Sequence, residues 1–244
     1  MRKHYIFVLS LCLLGSTVAY SQIDRPNRVE IGIIAGPTVD WAVSNVKSHT
    51  PKGAKLGGVY GLNVDLNIVP TYSNYFFSTG INARHIHFGL EYKTNYLYEN
   101  LEAAKIDTFN NATVKSTFNT VYVSIPTAIR LKTNSFNNFV FWGLVGLDHS
   151  IAVSSKSNDE ITLSEGGKKK QDKVNQYKST AIFKESLYIV LGAEYYIQDK
   201  TKFLVGLGYD YGFNNMFRKK HKNVFGETIN VHTHRIEIQF GITF

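Results

Sequence analysis

The chain ends on RIEIQFGITF, residues 235–244, and the reading of that stretch decides the fold. Ile236, Ile238, Phe240, Ile242 and Phe244 fall on one side of an extended backbone, and Arg235, Glu237, Gln239, Gly241 and Thr243 on the other. Successive side chains of a strand point to opposite faces, so this is a β-strand with one apolar face and one polar or small face. The pattern recurs upstream. In YGLNVDLNI, residues 60–68, Tyr60, Leu62, Val64, Leu66 and Ile68 oppose Gly61, Asn63, Asp65 and Asn67. In FLVGLGYDYGF, residues 203–213, Phe203, Val205, Leu207, Tyr209, Tyr211 and Phe213 oppose a face carrying Gly206, Gly208, Asp210 and Gly212. Residues 187–197 set Leu187, Ile189, Leu191, Ala193, Tyr195 and Ile197 against Tyr188, Val190, Gly192, Glu194 and Tyr196. Glycine on the second face argues for a narrow, crowded interior.

Four weaker alternating segments, 29–36, 77–92, 118–131 and 139–153, bring the expected count to eight. In residues 77–92 Ile81 and Ala83 lead the apolar face but Ile86, Phe88, Leu90 and Tyr92 follow out of phase, so a β-bulge is expected near Arg84 and His85. Short links are expected near 70–75, 133–138 and 198–201, and long polar ones at 37–55, 96–115, 154–179 and 214–230. Alternating long and short connections are the rhythm of an up-and-down barrel, with both termini on the side of the short turns.

After the N-terminal leader no stretch reaches 18 consecutive apolar residues, which excludes helical membrane spans. The polar face nevertheless carries ions of both signs: Glu30, Asp65, Arg84, Arg130, Asp148, Glu194, Asp210, Arg235 and Glu237. Were that face the solvent side of a soluble protein, the apolar face would need a second sheet or a packing helix, and no helical pattern supplies one. Closing the sheet on itself in lipid satisfies every backbone group and removes the edges. The expected fold class is therefore all-β: an up-and-down antiparallel transmembrane β-barrel of about eight strands, with the ions enclosed as a structural charge network. Ten strands is the alternative count.

The opening MRKHYIFVLSLCLLGSTVAYSQ sets Arg2 and Lys3 before a short apolar core and small residues, which reads as a signal peptide. Cleavage after Ser21 divides the chain into a leader, 1–21, and a barrel domain, 22–244. The single cysteine, Cys12, goes with the leader, so disulfides, thiolate metal sites and cysteine nucleophiles are excluded from the mature part. The formal charge of +8 falls by two with Arg2 and Lys3, leaving a basic exported protein suited to anionic lipid, lipopolysaccharide or other polysaccharide. Nucleic acid is a poor partner, because the lysines gather at Lys168, Lys169, Lys170 and Lys173 without interleaved aromatics. Fifteen Tyr and 16 Phe against two Met fit strands that cross two membrane interfaces.

The terminal Phe244, after four alternating apolar residues, resembles the C-terminal signal by which outer-membrane barrels are recognised, so the barrel-assembly machinery is an expected partner. The stretch TVYVSIPTAIRLK, residues 120–132, resembles the aromatic, Ile-Pro, aliphatic and basic strand of PorT-like outer-membrane β-barrel proteins. With the Gly-containing strand at 31–36, the resemblance runs over nearly the whole mature chain. It implies an integral outer-membrane protein and a secretion or envelope protein partner. Pro126 cannot donate to a ladder, so a bulge or an unpaired position is expected there.

Candidate chemistry is sparse. His85-x-His87 and His232-x-His234 each put two imidazoles on one face, a spacing that can hold a metal, but on the third and last strands they are not adjacent, and rim positions near the outer interface are the reading taken. Asp148, His149 and Ser150 are triad residue types, yet consecutive strand residues alternate faces, so His149 points away from the other two. No residue is offered as catalytic, and no cofactor or metal is expected. The basic run EGGKKKQDK, residues 165–173, reads as a solvated loop tip. The expected function is an outer-membrane scaffold acting through its extracellular loops, not an enzyme. The alternatives are a lipid-acting enzyme of lipid A deacylase-like or phospholipase-like kind, with partners drawn from different strands, and a small-solute porin.

Overall fold

The computed structural model describes residues 28–46, 49–69, 74–93, 112–162, 167–198, 200–218 and 230–244. The leader read in residues 1–21 lies outside them. Among the described residues all regular structure is strand: β1 (Val29–Ser44), β2 (His49–Asn67), β3 (Tyr75–Lys93), β4 (Thr113–Lys132), β5 (Phe139–Thr162), β6 (Lys168–Asn175), β7 (Phe183–Tyr196), β8 (Lys202–Gly212) and β9 (Val231–Thr243). Eight of them form one antiparallel sheet in the order β4-β3-β2-β1-β9-β8-β7-β5, which closes through β4–β5 pairing. β6 stands outside the ring, hydrogen-bonded to the far end of β5.

The register fixes the shape of the cylinder. Starting at Val29 and stepping across Leu66, Phe77, Ile129, Val145, Ile189, Tyr209 and Ile236, the path returns to β1 at Val39, ten residues further on. An offset of ten residues at about 3.3 Å each, spread over eight strand spacings of about 4.8 Å, tilts the strands by roughly 40°. An eight-stranded barrel of that tilt leaves room inside for side chains and little else. The seam joins first strand to last: the Phe244 amide donates to the Ile31 carbonyl at 2.8 Å, and the Ile31 amide to the Phe244 carbonyl at 3.2 Å.

Outward positions at the end bearing the termini are apolar on every strand, from Ile31, Leu66 and Ile129 round to Ile238 and Phe240. Tyr75, Phe139, Tyr195, Phe203 and Phe244 close the lower edge of that band. The opposite ends of β2 to β5, with β6, project beyond it as a sheet whose outer face is polar.

Three sequence expectations change here. β3 carries no bulge at Arg84 and His85: its pairing with β4 is in one register from Tyr75↔Leu131 to Lys93↔Thr113. Even-numbered residues point inward throughout, and the chemistry of the interior changes instead, from Ser78, Asn82 and Arg84 to Ile86, Phe88, Leu90 and Tyr92. The irregularities fall on the β2 side of the β2–β3 pair, between Pro51 and Gly58, and at the β4–β5 step Val121/Tyr122. Second, much of the expected loops 37–55 and 154–179 is strand, because alternation continues there with polar side chains outward into water. Third, the lysine-rich run is the strand β6 and not a loop tip, since the exposed ladder edge of β5 offers it backbone partners. At Pro126 the β3–β4 ladder skips from Ser78↔Ala128 to Asn82↔Ser124, while the β5 side keeps Pro126↔Asp148.

Candidate functional site

The lumen is built in layers. Nearest the termini, Lys132 on β4 reaches Glu30 at 2.6 Å and Glu194 at 2.9 Å, and Lys202 on β8 reaches the same carboxylates at 2.6 and 3.4 Å. Arg130 pairs with Asp65, stands 3.7 Å from Glu194 and lies over the Trp142 ring at 4.1 Å. Three cations thus face three carboxylates. Above them Ile34, Ala128, Trp142, Leu144, Val190 and Leu204 pack into an apolar layer. Gly192 is required there, since a Cβ at that position would meet the Trp142 indole at 2.5 Å.

The next layer is ionic again. Arg84 bonds Glu237 at 3.1 Å and Asp148 at 3.2 Å, with Asp210 at 3.9 Å and the Tyr188 ring beneath its guanidinium. Lys184 bonds Asp210 at 2.8 Å, and Arg235 bonds Asp40 at 2.8 Å. Tyr188 donates to Glu237 at 2.6 Å. The nine ions read from the sequence all lie within these two layers, none more than 5 % exposed. Asp40, Lys132, Lys184 and Lys202 join them without having been named from sequence. Each shares the parity of an inward neighbour, and that parity was the signal available: Lys132 with Arg130, Lys184 with Ser186, Lys202 with Leu204, Asp40 with Thr38.

The top of the lumen is mainly apolar, with Ser116, Thr120, Ser155, Ser157 and Asp159 buried among the apolar side chains. Ile86, Phe88, Leu90, Tyr92, Val114, Phe118 and Tyr122 from β3 and β4 pack with Ala152, Ile161, Met216, Phe217 and Val231. Phe88 stacks on Phe118 at 4.9 Å, and Phe217 meets Phe118 edge-on at 5.4 Å.

The outer wall carries the two His-x-His pairs. His85 and His87 point out from β3 and His232 and His234 from β9, with β1 and β2 between them. Tyr60 stacks on His85 at 5.8 Å and Trp41 on His234 at 5.6 Å, and Tyr209 Oη lies 2.8 Å from His234 Nδ1. These rings form an aromatic and imidazole girdle at the upper edge of the apolar band. Among the described residues no three His, Cys, Asp or Glu gather as metal ligands would. Of the sequence triad, Ser150 donates to Asp148 inside the barrel at 2.8 Å, while His149 faces out and meets Glu185 on β7 at 2.6 Å and Thr127 on β4 at 2.9 Å.

On the projecting sheet a cleft of about 420 Å³ is lined by four lysines, Lys52, Lys55, Lys115 and Lys170, and three carboxylates, Asp159, Glu160 and Asp172. Glu91 bonds Lys52 at 3.0 Å and lies 3.8 Å from Lys115, and Glu160 bonds Lys170 at 2.8 Å. Two of the four lysines come from the far end of β2, whose distance from Lys170 in sequence hides the cluster.

The sequence profile described as Outer membrane protein beta-barrel domain matches residues 20–218. No curated protein matches the chain in sequence. Among solved structures the chain is similar to Neisserial surface protein A, at 11% identity over 87% of this chain and 95% of that one, with a TM-score of 0.40. It is similar to Ail, the attachment invasion locus protein of Yersinia pestis, at 12% identity over 89% and 99%, TM-score 0.37. It is also similar to the outer membrane protease OmpT of Escherichia coli, at 11% identity over 92% and 99%, TM-score 0.37. At such identities no activity passes from them to this chain.

Proposed function

The chain belongs to the outer membrane protein β-barrel domain family and is an integral outer-membrane protein, and on that premise we propose that it works as an interaction module through its projecting sheet and loops. The observation that carries this reading is the filled lumen: among the described residues, ionic, apolar, ionic and mainly apolar layers of buried side chains follow one another along the axis. The binding chemistry open to water then lies on the projecting sheet, where Lys55, beside the paired Lys52, Lys115 and Lys170, faces a cleft suited to anionic envelope polymers, lipopolysaccharide included, or to an acidic patch on an envelope or secretion protein that exchanges for Glu91 and Glu160. The PorT-like strand at residues 120–132 supports the secretion partner within that class.

The test is binding of the detergent-folded barrel to lipopolysaccharide and to a sulfated polysaccharide, with Lys52, Lys55, Lys115 and Lys170 replaced together by Glu. Binding that weakens at least about tenfold in the variant, and that falls with added salt, supports the reading. Steady conductance in planar bilayers would overturn it in favour of the pore.

A further inference from the structure

The outward partners of His149 form a chain that neither packing nor the lumen network uses. Glu185 Oε2 lies 2.6 Å from His149 Nδ1, and Thr127 Oγ1 lies 2.9 Å from His149 Nε2. One ring nitrogen thus faces a carboxylate and the other a hydroxyl, which is the arrangement an imidazole needs to act as a base on that hydroxyl while the carboxylate fixes its tautomer. We propose that Thr127, His149 and Glu185 form an acyl-transfer relay on the lipid-facing wall, cleaving an ester-linked acyl chain of an outer-leaflet lipid.

Position selects the substrate class. The three residues come from β4, β5 and β7, which are neighbours in the ring, and Ile125, His149 and Glu185 lie in one register row. The surrounding outward side chains are those of a membrane wall, Ile125, Leu147, Ile151 and Phe183. With the strands tilted by the ten-residue offset, His149 and Glu185 fall level with the aromatic girdle at Tyr211 and His234, where head groups begin. Thr127 sits lower, within the apolar band. An acyl ester lies at that depth, just beneath the head group. The His149 and Glu185 side chains are both 41% exposed, so a lipid can reach them.

The step balances without any reagent but water. His149 Nε2 takes the Thr127 hydroxyl proton as Oγ1 bonds to the acyl carbonyl carbon. The tetrahedral intermediate collapses, the ester C–O bond breaks, and the same proton passes from Nε2 to the leaving alkoxide. Water, deprotonated by His149, then attacks the acyl-threonine, releasing a fatty acid and restoring the hydroxyl. Glu185 acts as a positioning residue through Nδ1.

The experiment uses the folded barrel in mixed micelles with either a diacyl phospholipid or lipid A, released fatty acid being read by mass spectrometry. A fluorophosphonate probe reports the nucleophile by peptide mass. The relay predicts fatty acid release from at least one of the two lipids, a probe adduct on Thr127, and turnover kept by Thr127→Ser but lost in Thr127→Val. His149→Gln should lose about 10²–10⁴-fold in rate. Glu185→Gln should lower kcat by at least about tenfold with KM unchanged, and Glu185→Asp should recover part of it. Heat-modifiable gel mobility shows that each variant is folded. Release from neither lipid by a folded wild-type barrel, or turnover that survives His149→Gln, overturns the proposal. The polymer-binding reading stands or falls separately, since the two sites share no residue.

Discussion

The membrane-embedded part of the barrel and the part that projects beyond it keep one backbone parity and reverse its meaning. On β3 the inward residues Ser78, Asn82 and Arg84 face outward neighbours such as Phe77 and Ile81, whereas ten residues along the same strand Phe88, Leu90 and Tyr92 are inside and His87, Glu91 and Lys93 outside. What differs is the surroundings. Hydrocarbon rewards apolar atoms on the wall and encloses the ions, whereas water drives apolar atoms to the axis. A strand crossing that boundary changes the face its apolar residues occupy without any change in register, and a sequence pattern that looks like a slip can mark the membrane surface.

The largest test of this comparison is to break one ion pair of the embedded lumen. Arg84→Met strands the buried Asp148 and Glu237 without their shared cation, and should lower unfolding free energy in vesicles by about 3–5 kcal/mol in urea titrations. Phe118→Ala attacks the projecting part instead. Losing the ring stacked between Phe88 and Phe217 should cost about 3 kcal/mol, read as faster proteolysis above the membrane with heat-modifiable mobility retained. The walls can be compared in the same way: Ile238→Lys, facing hydrocarbon, should destabilise by about 2–4 kcal/mol, whereas Thr117→Lys, on the projecting sheet, should stay within about 0.5 kcal/mol.

A pH titration sharpens the contrast further. His49, at the far end of β2 and stacked on Tyr92, is held down to about pKa 4 by burial. The unfolded imidazole binds its proton near 6.5, so the contribution of neutral His49 is present above that value and is lost as pH falls towards 4. Proteolysis of the projecting sheet should therefore accelerate between pH 6.5 and 4, and His49→Phe should flatten the curve. The smallest effect belongs to the exposed Glu160–Lys170 pair, where Glu160→Gln should leave the urea unfolding midpoint where it is in the unchanged protein.

These results also show why some features were legible and others were not. Period two announces each barrel strand and places Arg84, Glu194 and Glu237 on the inward face, because the period is local to a strand. The upper end of β1 and the projecting ends of β2 and β5 were hidden by the expectation that polar stretches are loops. The outward face there is polar because it is wet, and the pairing continues regardless. The cross-strand meetings were out of reach for a different reason. That Lys132 joins Glu30 to Glu194, or that His149 lies between Thr127 and Glu185, depends on the ring closing with a ten-residue offset, and no single strand carries that number. Alternation correctly separated His149 from Asp148 and Ser150, and it could not say what stood across the neighbouring strands.

The seam at Ile31 and Phe244 bears on how the molecule comes into being. Those two residues hold each other by reciprocal backbone bonds although 213 positions separate them in the chain. The other barrel pairings are hairpin neighbours or bridge one short strand, and can form early; this one closes a loop of nearly the whole polypeptide, the slowest class of contact by entropy. Until it forms, β1 and β9 each present an open row of amides and carbonyls. The newborn chain is then most vulnerable to aggregation at the two strands that finally protect each other.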